Sequence, residues 1–249
     1  MTPDVVVDIG NTRIKWGRCR EGVVADSCSL PPGDMSAWTL QAERWQLVGR
    51  TSWAVAGVHP ARCDQLLAWL RGRGDEVFSL TLASQLPLRV LLEEPDKAGI
   101  DRLLDAVAAN TRRRAGAPTI LIDAGSAITV DLVDETGAFA GGAILPGVRL
   151  MAKALHDYTA LLPVIEPPRQ PPPIPGKGTI AAMELGVFWA AAGGVRALCE
   201  QFAARAAVKP DIFLTGGDGP ALYKAMPTGT HLWSTMTLEG IRLAAEALP

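Results

Sequence analysis

Val5-Val6-Val7-Asp8-Ile9-Gly10-Asn11-Thr12 decides the reading of this chain, because its pattern returns as Ile120-Leu121-Ile122-Asp123-Ala124-Gly125-Ser126-Ala127-Ile128-Thr129. Each copy is an apolar β-like run, then Asp-x-Gly, then a small hydroxyl residue, then a further β-like run. The Asp can hold a cation, and the Gly lets the backbone turn tightly and approach a phosphate closely. The hydroxyl and the turn amides can donate hydrogen bonds to phosphate oxygens. Asp-Gly turns also close ordinary hairpins. Two copies about half the chain apart point instead to a duplicated nucleotide-handling core.

Composition is consistent with such a core. A length of 249 residues fits one large domain or two small ones, and a hydrophobic fraction of 48% fills a sizeable interior. A net charge of −2 and a pI near 5.9 give no basic field for a polyanion, so no nucleic-acid partner is expected. No apolar run reads as approaching the roughly 18 to 20 residues that span a bilayer, so no membrane partner is expected. Met1-Thr2-Pro3-Asp4 lacks the basic start of a signal peptide, which predicts a cytoplasmic protein. Cys19, Cys28, Cys63 and Cys199 form no CxxC pair, and His59, His156 and His231 are scattered. Reduced, mostly buried thiols are expected rather than a Cys/His metal cage.

Along the chain, strands are predicted at 4–9, 12–19 and 22–29, then at 53–58, with a helix at 60–72 and a short strand at 77–82. A helix over 101–114 carries Leu103, Leu104, Val107 and Ala108 on one stripe. Arg112, Arg113 and Arg114 suit the dipole at its end and read as a solvated basic terminus. The second half begins near Pro118. Strands at 119–124, 127–134 and 138–144 form another meander, and the Gly141–Gly147 segment opens a helix at 148–158. Seven prolines between 163 and 175 predict an extended loop. A long helix over 180–207 holds Gly193-Gly194 at its middle, which close packing or a kink would explain. A strand at 210–214 leads to Thr215-Gly216-Gly217, and a helix closes the chain at 238–248. The predicted architecture is α/β, a β-β-β-α-β-α-like order used twice, with domains at 1–117 and 118–249 and a cleft between them.

There is no GxxxxGK[ST] loop, no GxGxxG after the first strand, no GxSxG and no HExxH. The residues that remain suit phosphoryl transfer, which needs Mg²⁺ on the phosphates, donors to hold them and a base near the acceptor hydroxyl. Asp8 can take Mg²⁺ directly or through water. Thr12, Ser126 and the adjacent amides can cradle phosphates, and Lys15 can reach one as a point charge, or be only an exposed hairpin lysine. Asp101, taken on position alone, reads first as a helix-start carboxylate that caps its own first turn.

Asp8-Ile9-Gly10-Asn11-Thr12, Gly99-Ile100-Asp101-Arg102, Asp123 through Asp131, Gly141 through Gly147, Leu162-Pro163 and Thr215-Gly216-Gly217 stand in one order and spacing. In this the chain resembles the type III pantothenate kinases along essentially its whole length. The resemblance implies two duplicated ribonuclease H-like domains with mixed sheets, in the actin-like ATPase superfamily of acetate and sugar kinases, Hsp70 and actin. It implies ATP-dependent phosphorylation of pantothenate at its primary hydroxyl, the first step toward coenzyme A. By the resemblance Asp101 is the catalytic base, with Gly99, Ile100 and Arg102 beside the substrate. Asp8, Gly10, Asn11 and Thr12 form the first phosphate and Mg²⁺ motif, with Lys15 near it, and Gly125 and Ser126 form the second. Ser126 stands where the family usually has Thr and keeps the hydroxyl. Asp123 matches a ligand of a monovalent cation, K⁺ or NH₄⁺. Thr215, Gly216 and Gly217 match the segment near the adenosine. Thr179 matches a threonine that reaches pantothenate from a neighbouring subunit, in a homodimer. The alternatives are a kinase of the same superfamily for another small alcohol and a non-catalytic regulatory relative. Loss of Asp8, Asp101 or Asp123 would favour the regulatory relative, and all three are present.

Overall fold

A computed structural model describes residues 2–248. The chain forms two compact units, one of residues up to Arg112 together with those from Thr235 on, the other Arg113–Ser234.

In the first unit β1 (Val5–Ile9), β2 (Ile14–Arg20) and β3 (Val23–Leu30) make an antiparallel meander. Then come α1 (Met35–Arg44), β4 (Ser52–Gly57), α2 (Pro60–Gly72), β5 (Glu76–Leu80) and α3 (Ile100–Ala109). β4 pairs parallel with β1, and β5 parallel with β4, giving the order β3-β2-β1-β4-β5. β1 is central, and Val5, Val6, Val7 and Ile9 are fully buried. That is what a continuous β-branched run demands of a strand covered on both faces. Trp16, Trp38 and Trp53 fill the core, with the rings of Trp16 and Trp53 meeting edge to face at 4.9 Å. Each side chain buried on this scale contributes about 1.5–3 kcal/mol before entropy is counted.

The second unit repeats the plan. β6 (Thr119–Ala124), β7 (Ala127–Val133) and β8 (Phe139–Pro146) form the meander. α4 (Val148–Asp157), α5 (Thr179–Ala203), β9 (Asp211–Thr215), α6 (Gly219–Tyr223) and β10 (Thr230–Leu232) follow. The sheet order is β8-β7-β6-β9-β10, with β9 parallel to β6 and β10 parallel to β9. Replacing each strand of the first sheet by its counterpart five strands later gives this order, so the duplication read in two Asp-x-Gly segments extends to the whole sheet. Residues 163–175 carry no helix or strand, as their prolines predict.

Three sequence expectations change, and α1, α6 and β10 are added to the elements read in the sequence. The closing helix α7 (Met236–Ala247) belongs to the first unit rather than to a domain 118–249. Glu239 accepts from the Val24 amide of β3 at 2.8 Å, and Gly240 lies so close to Leu104 of α3 that a methyl there would strike its carbonyl. α3 stops at Ala109, short of the arginines. Instead of capping that helix, Arg113 donates to the Ala117 and Glu135 carbonyls, and Arg114 Nε pairs with Asp211 at the start of β9 at 2.7 Å. α1, unread in the sequence, starts at Asp34, whose carboxylate accepts from the Ala37 amide at 2.9 Å. Finally, α5 is by length and composition apolar enough to cross a membrane. Its Met183, Val187, Phe188, Ala191, Ala192, Val195 and Cys199 form one helical stripe packed into the core of the second unit. Gly194 fits that packing: a methyl there would come within 2.9 Å of Leu145 on β8.

Candidate active site

The two Asp-x-Gly aspartates occupy the same place in their sheets. Asp8 is the penultimate residue of β1, opposite Lys15 on β2 and Ala56 on β4. Asp123 is the penultimate residue of β6, opposite Thr129 on β7 and Thr215 on β9. In each unit the carboxylate therefore stands at the carboxyl end of the central strand, where α/β sheets bind ligands.

In the first unit Lys15 Nζ lies 3.8 Å from Asp8 Oδ2, with the side chains 27% and 15% exposed. Lys15 is thus half-buried beside Asp8 rather than an exposed hairpin lysine. Burial pushes the Asp8 carboxyl up to about 6; the Lys15 charge pulls it down, and the negative charge of Asp101 pushes it up. Asp8 and Asp101 therefore share one electrostatic environment, in which the effect of Lys15 on Asp8 exceeds that of Asp101. A divalent cation beside Asp8 would favour its charged form. Among the described residues no cluster of three or more His, Cys, Asp or Glu could hold a metal. Mg²⁺ fits such a place, because it is held by one or two carboxylates, water and substrate phosphates rather than by an all-protein cage.

The turn after β1 is closed by the Gly10 amide donating to the Arg13 carbonyl at 3.1 Å, which leaves Asn11 and Thr12 exposed. Arg62 of α2 reaches back to it. Its Nη1 donates to the Gly10 carbonyl at 3.0 Å and also to the Asn11 carbonyl. Sequence reasoning missed Arg62. The one available signal was a cation in the first turn of a helix, where the dipole disfavours it.

Asp101 is the second residue of α3, and its Oδ1 accepts from the Arg102 amide at 2.9 Å. It lies in the first turn of its helix without capping it, and its charge also reaches Asp8. Gly99, the residue before the helix, is needed for space: a methyl there would stand 2.5 Å from Asp101 Oδ1. Ile100 is buried and anchors the helix start.

In the second unit the Gly125 amide donates to Ala127 at 3.0 Å, and the Gly147 amide donates to the Ser126 carbonyl at 3.2 Å. The turn carrying Gly125 and Ser126 thus lies against the start of α4. Thr215 is fully buried, and its Oγ1 has no hydrogen-bond partner among the described residues. Gly216 has φ +95°, and a methyl on it would strike the Ala124 carbonyl and Asp123 Oδ1. The Asp218 amide donates to the Ala124 carbonyl at 2.9 Å. Asp123, Thr215 and Gly216 are therefore one cluster. Thr179 is exposed in the first turn of α5, and no described contact joins it to that cluster.

Comparison with known proteins matches residues 5–201 to the family described as type III pantothenate kinase. The type III pantothenate kinase of Anaeromyxobacter sp. (strain K) is 35% identical over 258 residues, covering 97% of this chain and 98% of that protein. That of Gluconobacter oxydans (strain 621H) is 39% identical over 157 residues, which take in 63% of this chain and 57% of that protein. Among solved structures, the activator of the 2-hydroxyisocaproyl-CoA dehydratase from Clostridium difficile with bound ADPNP aligns with a TM-score of 0.58. That alignment covers 99% of this chain and 97% of the other, at 13% identity. Component A of the (R)-2-hydroxyglutaryl-CoA dehydratase of Acidaminococcus fermentans gives a TM-score of 0.54 at 13% identity, over 100% and 98% of the two chains. At such identities the structural likeness speaks to the fold alone.

Proposed function

The chain belongs to the type III pantothenate kinase family, with the duplicated fold of the actin-like ATPases, and from that premise we propose how its own residues carry out the transfer of a phosphoryl group from ATP to pantothenate. The observation that carries the proposal is the shared environment of Asp8 and Asp101, one at the end of β1 and the other at the start of α3. Asp101 accepts the proton of the primary hydroxyl of pantothenate, late in the step, which suits a carboxylate acting on an alcohol through a loose transition state. Gly99 leaves room for that carboxylate, and Ile100 and Arg102 border the substrate. Asp8 would hold Mg²⁺, directly or through water; when bound, the ion neutralises charge on the phosphates. Gly10, Asn11 and Thr12 hold phosphate oxygens through the turn, with Lys15 as a point charge beside them. Gly125 and Ser126 serve the second phosphate motif, and Thr215, Gly216 and Gly217 line the nucleoside end.

Asp123 is proposed to hold a monovalent cation, K⁺ or NH₄⁺. The buried, unpartnered Thr215 hydroxyl next to it supports a hard-oxygen site. A coupled ADP-release assay with pantothenate and MgATP tests both parts. Turnover that depends on pantothenate and falls when sodium replaces potassium is expected. Equal turnover in the two salts would remove the cation role, and ADP release indifferent to pantothenate would remove the acceptor.

Gly99→Ala tests the spacing around Asp101. The added methyl must displace the carboxylate, so kcat is expected to fall by on the order of 10²-fold. Thermal melting should move little, because the site is a helix start without a side-chain cap. Steady-state kinetics with melting curves on the same samples check it.

A homodimer is also proposed, with Thr179 serving the neighbouring subunit. Supporting it, Tyr158 (88% exposed), Leu161 (91% exposed), Val164, Ile174 and Ile180 leave apolar surface open around the α4–α5 connection. Tyr158→Glu with Leu161→Asp is expected to give monomers in sedimentation velocity, with a raised KM for pantothenate. A dimer unmoved by both changes would place the interface elsewhere. With ATP as donor, a cytoplasmic enzyme is the expectation.

A further inference from the structure

Resting on the kinase reading above, we propose that Arg62 is a positioning residue that sets the β1–β2 turn to receive the phosphates of the nucleotide. Arg62 is the third residue of α2, and its Nη1 bridges the carbonyls of Gly10 and Asn11. In a trans peptide group the C=O and the N–H point in opposite directions. The Gly10 carbonyl shares its peptide plane with the Asn11 amide, and the Asn11 carbonyl shares its plane with the Thr12 amide. Holding both carbonyls toward α2 therefore turns both amides away from α2, on the exposed tip of the turn. Two successive amides facing one way form an anion-binding concavity.

The guanidinium also acts through charge. A cation on a carbonyl polarises the peptide group and strengthens its N–H as a donor. Arg62 thus contributes to anion binding from behind the loop, without touching the phosphate. The turn itself is framed by the Gly10 amide on the Arg13 carbonyl, so it has few ways to relax around a lost Arg62.

The local sequence shows that Arg62 is not there for its own helix. α2 begins at Pro60 with no side-chain cap and no acidic residue in its first turn. A cation in that turn opposes the helix dipole, where an Asp or Glu would complement it. A residue set against its local preference marks a place where another requirement dominates. Here that requirement is the geometry of the Gly10-Asn11-Thr12 turn.

The experiment compares wild type, Arg62→Ala and Arg62→Lys for binding of adenosine, ADP and AMPPNP in Mg²⁺ by titration calorimetry, with circular dichroism on each. Arg62→Ala is expected to bind AMPPNP about tenfold or more weaker, equivalent to about 1.4 kcal/mol, while adenosine binding is unchanged. KM for ATP should rise with KM for pantothenate held, Arg62→Lys should fall between the two proteins, and added methylguanidine should restore part of the loss in Arg62→Ala. Equal AMPPNP affinity in a folded Arg62→Ala would overturn the proposal. So would a parallel loss for adenosine and AMPPNP, which would mark a general loosening of the unit. Should Arg62→Ala not fold, the same split between adenosine and AMPPNP is read in Arg62→Lys, with the same two outcomes against it. A wild-type protein that binds AMPPNP but does not phosphorylate pantothenate would overturn the acceptor assignment and leave Arg62 standing.

Discussion

Asp101→Asn is expected to lower kcat with pantothenate by about 10²–10⁴-fold, the range a positioned general base contributes. The substitution isolates the chemistry from the fold. Asn keeps an oxygen that can accept from the Arg102 amide, as Asp101 Oδ1 does at the helix start. Thermal melting and AMPPNP affinity should therefore stay near those of the wild type while turnover collapses. A second signature reports the shared electrostatics of the two carboxylates. Because the charge of Asp101 pushes the Asp8 carboxyl up, its removal should let Asp8 titrate lower. The pH at which MgATP binding weakens should then move down in Asp101→Asn. Rapid-quench turnover and nucleotide titration across pH would show both effects. Near wild-type turnover in a folded Asp101→Asn would end the assignment.

Asp8 carries the second large effect. Its carboxyl, ordinarily at 3.8, is held at about 6, chiefly by burial. In the proposed role of Asp8 protons and Mg²⁺ compete for it, so Mg²⁺-dependent nucleotide affinity should fall by about tenfold for each pH unit below about 6. Stability depends on pH in the opposite direction. A carboxyl whose folded value lies above its unfolded value contributes stability below about 4 and loses it as pH rises through about 6. Without Mg²⁺ the melting temperature should accordingly decline across that window, and Mg²⁺ with AMPPNP should remove the decline. Asp8→Asn should flatten the pH dependence, and its turnover should fall by on the order of 10²-fold or more through loss of the proposed metal ligand. Melting curves against pH, with and without MgAMPPNP, check the sign. A melting temperature that rose from pH 4 to 6 in the wild type but not in Asp8→Asn would contradict it.

The strands were legible because β-branched runs and Asp-x-Gly turns are local signals, and the central strands β1 and β6 carry them in near-pure form. The duplication followed from the same two segments. α1 had a readable start in Pro31-Pro32-Gly33-Asp34, yet its buried face mixes Trp38 and Ala42 with Gln41, which blurs the apolar stripe. The home of α7 was not legible. Its ties run from Glu239 to Val24, 215 residues away, and from Gly240 to Leu104, and no local pattern encodes such separations. The arginines after Ala109 look like a helix end in sequence, but the Asp211 carboxylate that takes Arg114 lies 97 residues on.

At the candidate site the pairing of Asp8 with Lys15 follows from the short hairpin that joins their strands, and the parallel place of Asp123 follows from the repeat. The shared environment of Asp8 and Asp101 was not legible, since it depends on where α3 begins relative to β1. Arg62 was hidden for another reason: it acts on backbone carbonyls, and any sequence at Gly10 and Asn11 would supply those.

The most direct test of the central claim is a phosphorus NMR spectrum of the products from wild-type protein, MgATP, potassium and pantothenate. Expected are ADP and one new phosphomonoester on the primary hydroxyl of pantothenate, both absent with Asp101→Asn. ADP with inorganic phosphate alone, or the same ester formed by Asp101→Asn at the wild-type rate, would contradict the assignment of acceptor and base.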